Sequence, residues 1–137
     1  MRVQQIMRMT LASAAAIGLL VVAACGSDNV LGPDNQVQVS NNADTFEWQA
    51  TNMDNVSQTL SYDWTMTGTT ADVNQSSAVT GGSATLTVTD DAGTVVYTAS
   101  LGQNGTFTTD AGVAGTWTVE VRLNGTSGMV NFRLERP

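Results

Sequence analysis

Residues 84–101, Ala-Thr-Leu-Thr-Val-Thr-Asp-Asp-Ala-Gly-Thr-Val-Val-Tyr-Thr-Ala-Ser-Leu, decide the fold of this chain. Apolar side chains alternate with threonines in the first part, the turn-forming residues Asp-Asp-Ala-Gly follow, and the alternation then resumes. Two alternating runs joined by a short turn that ends in glycine predict an antiparallel β-hairpin with one buried face. Placing the apolar side chains on that face predicts that Val88 pairs with Val95.

The same two-residue period recurs on both sides of this hairpin. The inward positions that it predicts are Phe46, Trp48 and Ala50; Leu60, Tyr62, Trp64 and Met66; Trp117, Val119, Val121 and Leu123; and Val130, Phe132 and Leu134. The last two runs are joined by Asn-Gly-Thr-Ser-Gly at 124–128, which predicts a second hairpin with Val121 facing Phe132.

About seven to nine short strands separated by glycine and asparagine turns are typical of an all-β domain. We therefore predict that residues 36–137 form an antiparallel two-sheet sandwich of the immunoglobulin-like kind. A flattened barrel or jelly roll is the alternative.

The first 24 residues have the pattern of a secretory signal peptide. Arg2 and Arg8 precede an apolar run over 9–22, and Ala23 and Ala24 are small. The run has the length of a signal-peptide core and is shorter than a comfortable membrane span.

The junction Val22-Ala-Ala-Cys25 resembles the lipobox of bacterial lipoproteins. The resemblance implies cleavage before Cys25, a diacylglycerol on its thiol and an acylated amine, which together make a stable membrane anchor. By the same resemblance, Gly26 in place of Asp favours the outer membrane or the cell surface. The polar stretch after the cysteine predicts a flexible tether, so that 25–35 joins the lipid to the domain.

Composition excludes several kinds of chemistry. After residue 24 the chain keeps three of its five basic residues and all twelve acidic ones, a formal charge of −9. Such a surface repels phosphate backbones, so nucleic acid is not an expected partner. The chain has no histidine and no lysine, and its one cysteine cannot form an internal disulfide. Carboxylates and hydroxyls are the remaining groups for catalysis.

The segment from Gly82 to Leu134 resembles the second half of small bacterial immunoglobulin-like and pre-peptidase-type sandwich domains. The resemblance rests on Ala-Thr-Leu-Thr-Val-Thr-Asp at 84–90, Gly-Thr-Val-Val-Tyr at 93–97 and Gly-Thr-Trp-Thr-Val-Glu-Val at 115–121. It implies a fold and says little about activity.

Acidic loop residues are the candidates for ligand binding. Asp90, Asp91 and Asp110 lie in predicted loops, as do Asp54 and Asn124. Loops that meet at one end of a sandwich supply the oxygen ligands that calcium prefers, although aspartate is equally frequent in turns for local reasons. No Asp-x-Asp-x-Asp-Gly run accompanies them.

Other candidate sites have simpler explanations. Glu47 and Glu120 are the carboxylates that a glycosidase pair requires, yet both fall on the outward phase of their strands. The tryptophans fall on the inward phase, which leaves Phe107 or another rim aromatic for a sugar. We therefore predict a non-catalytic interaction or structural module, lipid-anchored in the envelope, with a protein or glycan partner and no cofactor. Calcium or carbohydrate binding through loop carboxylates is the alternative.

Overall fold

The computed structural model describes residues 29–137, and the leader, Cys25 and the start of the tether lie outside this range. A short 3₁₀ turn, Pro33–Asn35, precedes seven strands. The strands are β1 (Gln38–Asn42), β2 (Thr45–Met66), β3 (Asp72–Gln75), β4 (Ala78–Thr89), β5 (Val95–Ser100), β6 (Gly105–Thr108) and β7 (Gly115–Glu135). No helix in this part of the chain is long and apolar enough to cross a membrane.

All seven strands are joined by antiparallel pairing because β2 and β7 are long enough to run through two layers. The first layer has the order β1, the start of β2, the end of β7, β3 and β6. The second has the order end of β2, start of β7, β4 and β5. The predicted antiparallel two-sheet sandwich is confirmed.

The strand order is that of a jelly roll, the alternative in the sequence analysis, and differs from the ABED and CFG sheets of an immunoglobulin domain. Counting the halves of β2 and β7 separately and leaving out β1, the layers have the orders 1-8-3-6 and 2-7-4-5. This strand order arises because the chain crosses between the layers by bending within β2 and within β7.

Both crossings lie at one level of the molecule, which we call the bend end. The β2–β7 register shifts between Ala50 and Gln58 of β2, and Asn52 and Asn55 there have positive φ angles of 51° and 54°. Hydroxyl side chains replace some of the lost ladder bonds, since the Asn55 N–H donates to Ser127 Oγ at 3.0 Å. The bends therefore fold each long strand back over itself.

Aromatic rings fill the space between the layers. Phe46 and Tyr62 belong to the same strand, yet their ring centroids are 5.4 Å apart because β2 folds over. Trp48, Trp64 and Trp117 are completely buried, as their inward phase predicted.

Each buried indole N–H has an acceptor, so none is left unsatisfied in the core. The acceptors are Tyr62 Oη at 2.9 Å for Trp48, the Asn42 carbonyl at 2.9 Å for Trp64 and the Val113 carbonyl at 2.7 Å for Trp117.

Two details of the predicted pairing are wrong. Residues 84–101 do form the β4–β5 hairpin, but Val88 pairs with Tyr97, and Val95 pairs with Thr89. A bulge at this point leaves Val96 as the extra residue, and Val96 is buried while Val95 is exposed.

The predicted hairpin at 117–134 does not form. Its two runs are halves of the single bent strand β7, and each pairs with a different half of β2. Trp117 pairs with Trp64, and Phe132 pairs with Trp48, so each run buries its apolar row in its own layer.

Candidate functional site

An open cleft of about 470 Å³ lies at the bend end, where the described chain begins. Residues that line it include Asn29, Val30, Asp34, Asn52, Asp54 and Val56. Its wall is formed on one side by residues 29–35 and on the other by the bend of β2. The cleft therefore lies between the first described residues and the bend of β2.

Residues 29–35, which the sequence predicts as part of the flexible tether, are hydrogen-bonded to the bend of β2. Asn29 forms a parallel bridge with Val56, in which its N–H donates to the Asn55 carbonyl at 3.0 Å and its carbonyl accepts from Ser57 N–H at 2.9 Å. Farther on, Leu31 N–H donates to Gln58 Oε1 at 2.9 Å. The remainder of the predicted tether, 25–28, lies outside the described residues.

Asn35 completes this attachment from a buried position. Its amide nitrogen donates to the carbonyls of Thr51 and Asn52, both at 3.0 Å, and its side-chain oxygen accepts from Gly32 N–H at 2.9 Å. A buried amide with its donors and acceptor all used holds the backbone of both segments in place. Nothing in the two-residue period marks Asn35, so sequence reasoning missed it.

The lining of the cleft combines acidic and apolar side chains. Asp34 and Asp54 contribute carboxylates, while Val30 and Val56 contribute apolar contacts. Within residues 29–137 no three His, Cys, Asp or Glu side chains are grouped as metal ligands require. The cleft thus offers two carboxylates without a third ligand beside them.

The opposite end of the sandwich, which we call the distal end, carries the loops at 43–44, 67–71, 90–94 and 109–115. Two of these loops are bonded to each other, since Gly112 N–H donates to the Thr69 carbonyl at 2.8 Å. The chain that follows β7 is bonded to the 43–44 turn, since Arg136 N–H donates to the Asp44 carbonyl at 3.0 Å. Thr67 donates its backbone N–H and its hydroxyl to the Asp44 carboxylate and thereby lowers the pKa of that carboxyl.

Three of the predicted calcium ligands lie at the distal end. The Asp90 carboxylate accepts backbone N–H groups of Ala92 at 3.0 Å, Thr94 at 2.8 Å and Val113 at 2.8 Å. Asp91 accepts Thr116 N–H at 3.1 Å. The bonds to Ala92 and Thr94 are the local role that aspartate often has in turns. The bonds to Val113 and Thr116 tie the 90–94 turn to the loop before β7 and to the start of β7.

Asp110 is exposed in that neighbouring loop, and its backbone N–H donates to the Val96 carbonyl at 2.8 Å. The other loop candidates, Asp54 and Asn124, lie at the bend end and so do not join the distal group. Calcium binding by Asp90, Asp91 and Asp110 stays a prediction.

Asp90 is expected to stabilise the fold in a pH-dependent way. The N–H groups of Val113, Thr94 and Ala92 lower the pKa of its carboxyl below the usual 3.8, outweighing the opposite effect of burial. The charged form is thus favoured by folding, so this contribution is present above pH 3.8 and is lost as the pH falls through the lower folded pKa.

We therefore expect Asp90→Asn to lower the Tm at pH 7, and we expect the difference from the wild type to shrink as the pH falls below 3.8. Thermal unfolding followed by circular dichroism between pH 2.5 and 7 measures this. Asp110→Asn, at an exposed position of the adjoining loop, is the matched control and should change the Tm less. Equal effects of the two substitutions at pH 7 would contradict the assignment.

The two glutamates considered as a glycosidase pair lie on opposite outer faces. Glu47 is on the first layer, with Oε2 3.4 Å from Arg133 Nε. Glu120 is on the second layer, between Ser61 and Thr87. The thickness of the sandwich separates them, so they cannot flank one glycosidic bond.

Among residues 29–137 the aromatic side chains are buried or half-buried and do not form an outward platform. Phe107 is half-buried and packs against Tyr97, with ring centroids 6.4 Å apart.

A search of protein-family models found no match to this chain, and a search of curated proteins found none either. The class of the described domain therefore follows from its strand order alone, as an antiparallel jelly-roll sandwich.

Proposed function

We propose that this protein is a non-catalytic, lipid-anchored module of a bacterial envelope, which holds an interaction domain at the outer membrane or cell surface. The lipobox-like junction at Cys25 carries the proposal. Asn29, the first described residue, lies four positions after Cys25 and is bridged to Val56 at the bend end. A lipid on Cys25 would hold that end near the membrane and leave the distal end and the sides of the sandwich available to partners.

Three further observations support a binding role without catalysis. The chain lacks histidine and lysine. Its tryptophans are buried in the core, and the carboxylate of Asp90 already accepts three backbone N–H groups. The competing hypothesis, calcium or glycan binding by loop carboxylates, would be favoured by a calcium-dependent rise in Tm that Asp91→Asn removes.

The anchor is tested by Cys25→Ala. We expect the wild-type chain to partition with the membrane fraction and Cys25→Ala to appear in the soluble fraction, because the lipid is the proposed attachment. Mass spectrometry of the wild type should show a first residue Cys25 that carries a diacylglycerol and an additional acyl chain. Ser27→Ala, two residues away, is the matched control and should stay with the membrane.

The proposed location is tested separately with Gly26→Asp. In a Gram-negative host this substitution should move the protein from the outer to the inner membrane without releasing it.

Membrane attachment of Cys25→Ala, or an unmodified Cys25 in the native protein, would disprove the anchor.

A further inference from the structure

The two flanks of the sandwich differ in how they are closed. On one flank Gln75 of β3 donates from Nε2 to the Ser100 carbonyl of β5 at 3.0 Å and to the Gln103 carbonyl in the turn before β6. Its Oε1 accepts from Tyr97 Oη at 2.8 Å. Gln75 is buried, and it bonds β3 of one layer to β5 of the other. We call this side the sealed flank.

The other flank lies between β1 and the second half of β2, and we call it the open flank. In the described chain β1 pairs only with β2, so its far side has no partner strand. All five of its residues are exposed. An edge strand is normally protected by a charge, a proline or a bulge, and the sequence Gln-Val-Ser-Asn-Asn with its unbroken register has none of these.

An apolar strip lies along the inner side of the open flank. Val37 and Val39 are 38% and 41% exposed, and Val39 pairs with the buried Trp48 on the inward phase. Across the layers, Leu60 and Tyr62 are half-buried against the core, and Tyr62 Oη accepts the Trp48 indole N–H.

The strip is covered at both of its ends. Towards the distal end, Asn41 donates from Nδ2 to the Asp63 carbonyl at 2.8 Å and so bridges β1 to β2. Towards the bend end, Leu31 bonds to Gln58. The gap between these bridges is where unpaired backbone and exposed apolar side chains occur together.

We propose that β1 is a docking edge for an extended segment of another protein, which adds to the first layer as one more strand and alternates apolar with basic residues. Such a strand would bond to the free side of β1 and place every second side chain over Val37, Val39, Leu60 and Tyr62. The proposal rests on the proposed interaction role and names its surface and the chemistry of its partner.

Charge favours a basic partner over a second copy of this chain. Asp63 is exposed on β2 beside the bridge from Asn41. Asp34 precedes β1 at the bend end, and Asp44 follows β1 at the distal end, where Arg136 Nη1 is 3.7 Å from its Oδ2. The chain after residue 24 carries −9, so two copies repel one another, whereas arginine or lysine on the added strand is attracted.

The test uses the purified full chain and three synthetic heptapeptides. The probe is Val-Arg-Val-Thr-Val-Arg-Val; the comparison peptides replace arginine by glutamate or scramble the order to remove the alternation. We expect the probe to bind at least tenfold more tightly than either, measured by fluorescence anisotropy, with weaker binding at high salt. Hydrogen exchange should show new protection of the amides in β1.

Val39→Lys should weaken probe binding at least tenfold, because it places a like charge on the docking edge. Thr106→Lys adds the same charge to β6, the opposite edge of the same layer, and should leave binding within twofold. Val37→Lys, just outside β1, is the second test should Val39→Lys lower the Tm.

Equal binding of the glutamate peptide, protection on β5 or β6 in place of β1, or no effect of either valine substitution would overturn the proposal. A concentration-dependent dimer that Val39→Lys abolishes would overturn it in favour of a second copy. Cys25→Ala protein should bind the probe as the wild type does, so a failed anchor and a failed docking edge give different results.

Discussion

Trp117→Ala is expected to lower the free energy of unfolding by about 3 to 5 kcal/mol. Trp117 is completely buried and pairs directly with Trp64, with the ring centroids 6.0 Å apart in an edge-to-face arrangement. Its indole N–H also donates to the Val113 carbonyl at 2.7 Å. The substitution therefore leaves a cavity beside Trp64 in the space between the layers and releases the loop that precedes β7.

Urea unfolding followed by tryptophan fluorescence and circular dichroism measures this loss, with the m-value as a check on two-state behaviour. Val95→Ala is the control, since Val95 is 51% exposed and its truncation should change the unfolding free energy by less than about 0.5 kcal/mol. Trp117→Phe should have an intermediate effect, because it retains most of the ring and loses the hydrogen bond. A loss below about 1 kcal/mol for Trp117→Ala would contradict the packing described for the core.

Gly82→Ala is expected to destabilise the fold by about 2 to 5 kcal/mol. Gly82 has a φ of 66°, and a methyl group on its Cα would overlap the backbone carbonyl of Gly125. This is the level at which β4 and β7 shift register, so relief requires moving the backbone of both strands.

Gly93→Ala separates the cost of a positive φ from the cost of the overlap with the Gly125 carbonyl. Gly93 has a φ of 86° in the β4–β5 turn, but no atom lies within 4 Å of the position of an added Cβ. We expect this control to lose only the backbone preference, about 1 to 2 kcal/mol. The same urea titration compares both variants, and equal losses would show that the close approach of β4 to β7 is not the cause.

Much of the fold was predictable because burial has a two-residue period. Phe46, Trp48 and Trp64 were placed inward correctly from alternation alone, and all are buried. The bulge at Val95 and Val96 was not predictable, because two adjacent valines satisfy either phase equally well.

Long-range pairing was the main limit of the sequence analysis. Residues 124–128 contain two glycines, both with positive φ, and this composition suits a tight turn as well as a bend inside a strand. Whether a turn or a bend forms depends on which strands pair, and each half of β7 pairs with β2 instead of with the other half. The jelly-roll order depends on that choice.

The candidate site was less predictable than the fold. Asp90 was recognised as a turn residue, but its bond to Val113 depends on a loop twenty residues farther along the chain. Residues 29–35 look like a linker because they are small and polar, yet Asn29 and Asn35 donate their side-chain amides to backbone carbonyls of β2. Side-chain amides give no periodic signal of such contacts.

The threading of β2 and β7 through both layers has a consequence for how the domain assembles. Thr45, at the start of β2, pairs with Glu135, at the end of β7. The first layer requires β7 as far as Glu135, and the second requires the start of β7, so neither layer can form from the first half of the chain alone. Contacts between positions so distant in the sequence are expected to make folding slow, because the entropy of closing the long loop is lost before the contacts form.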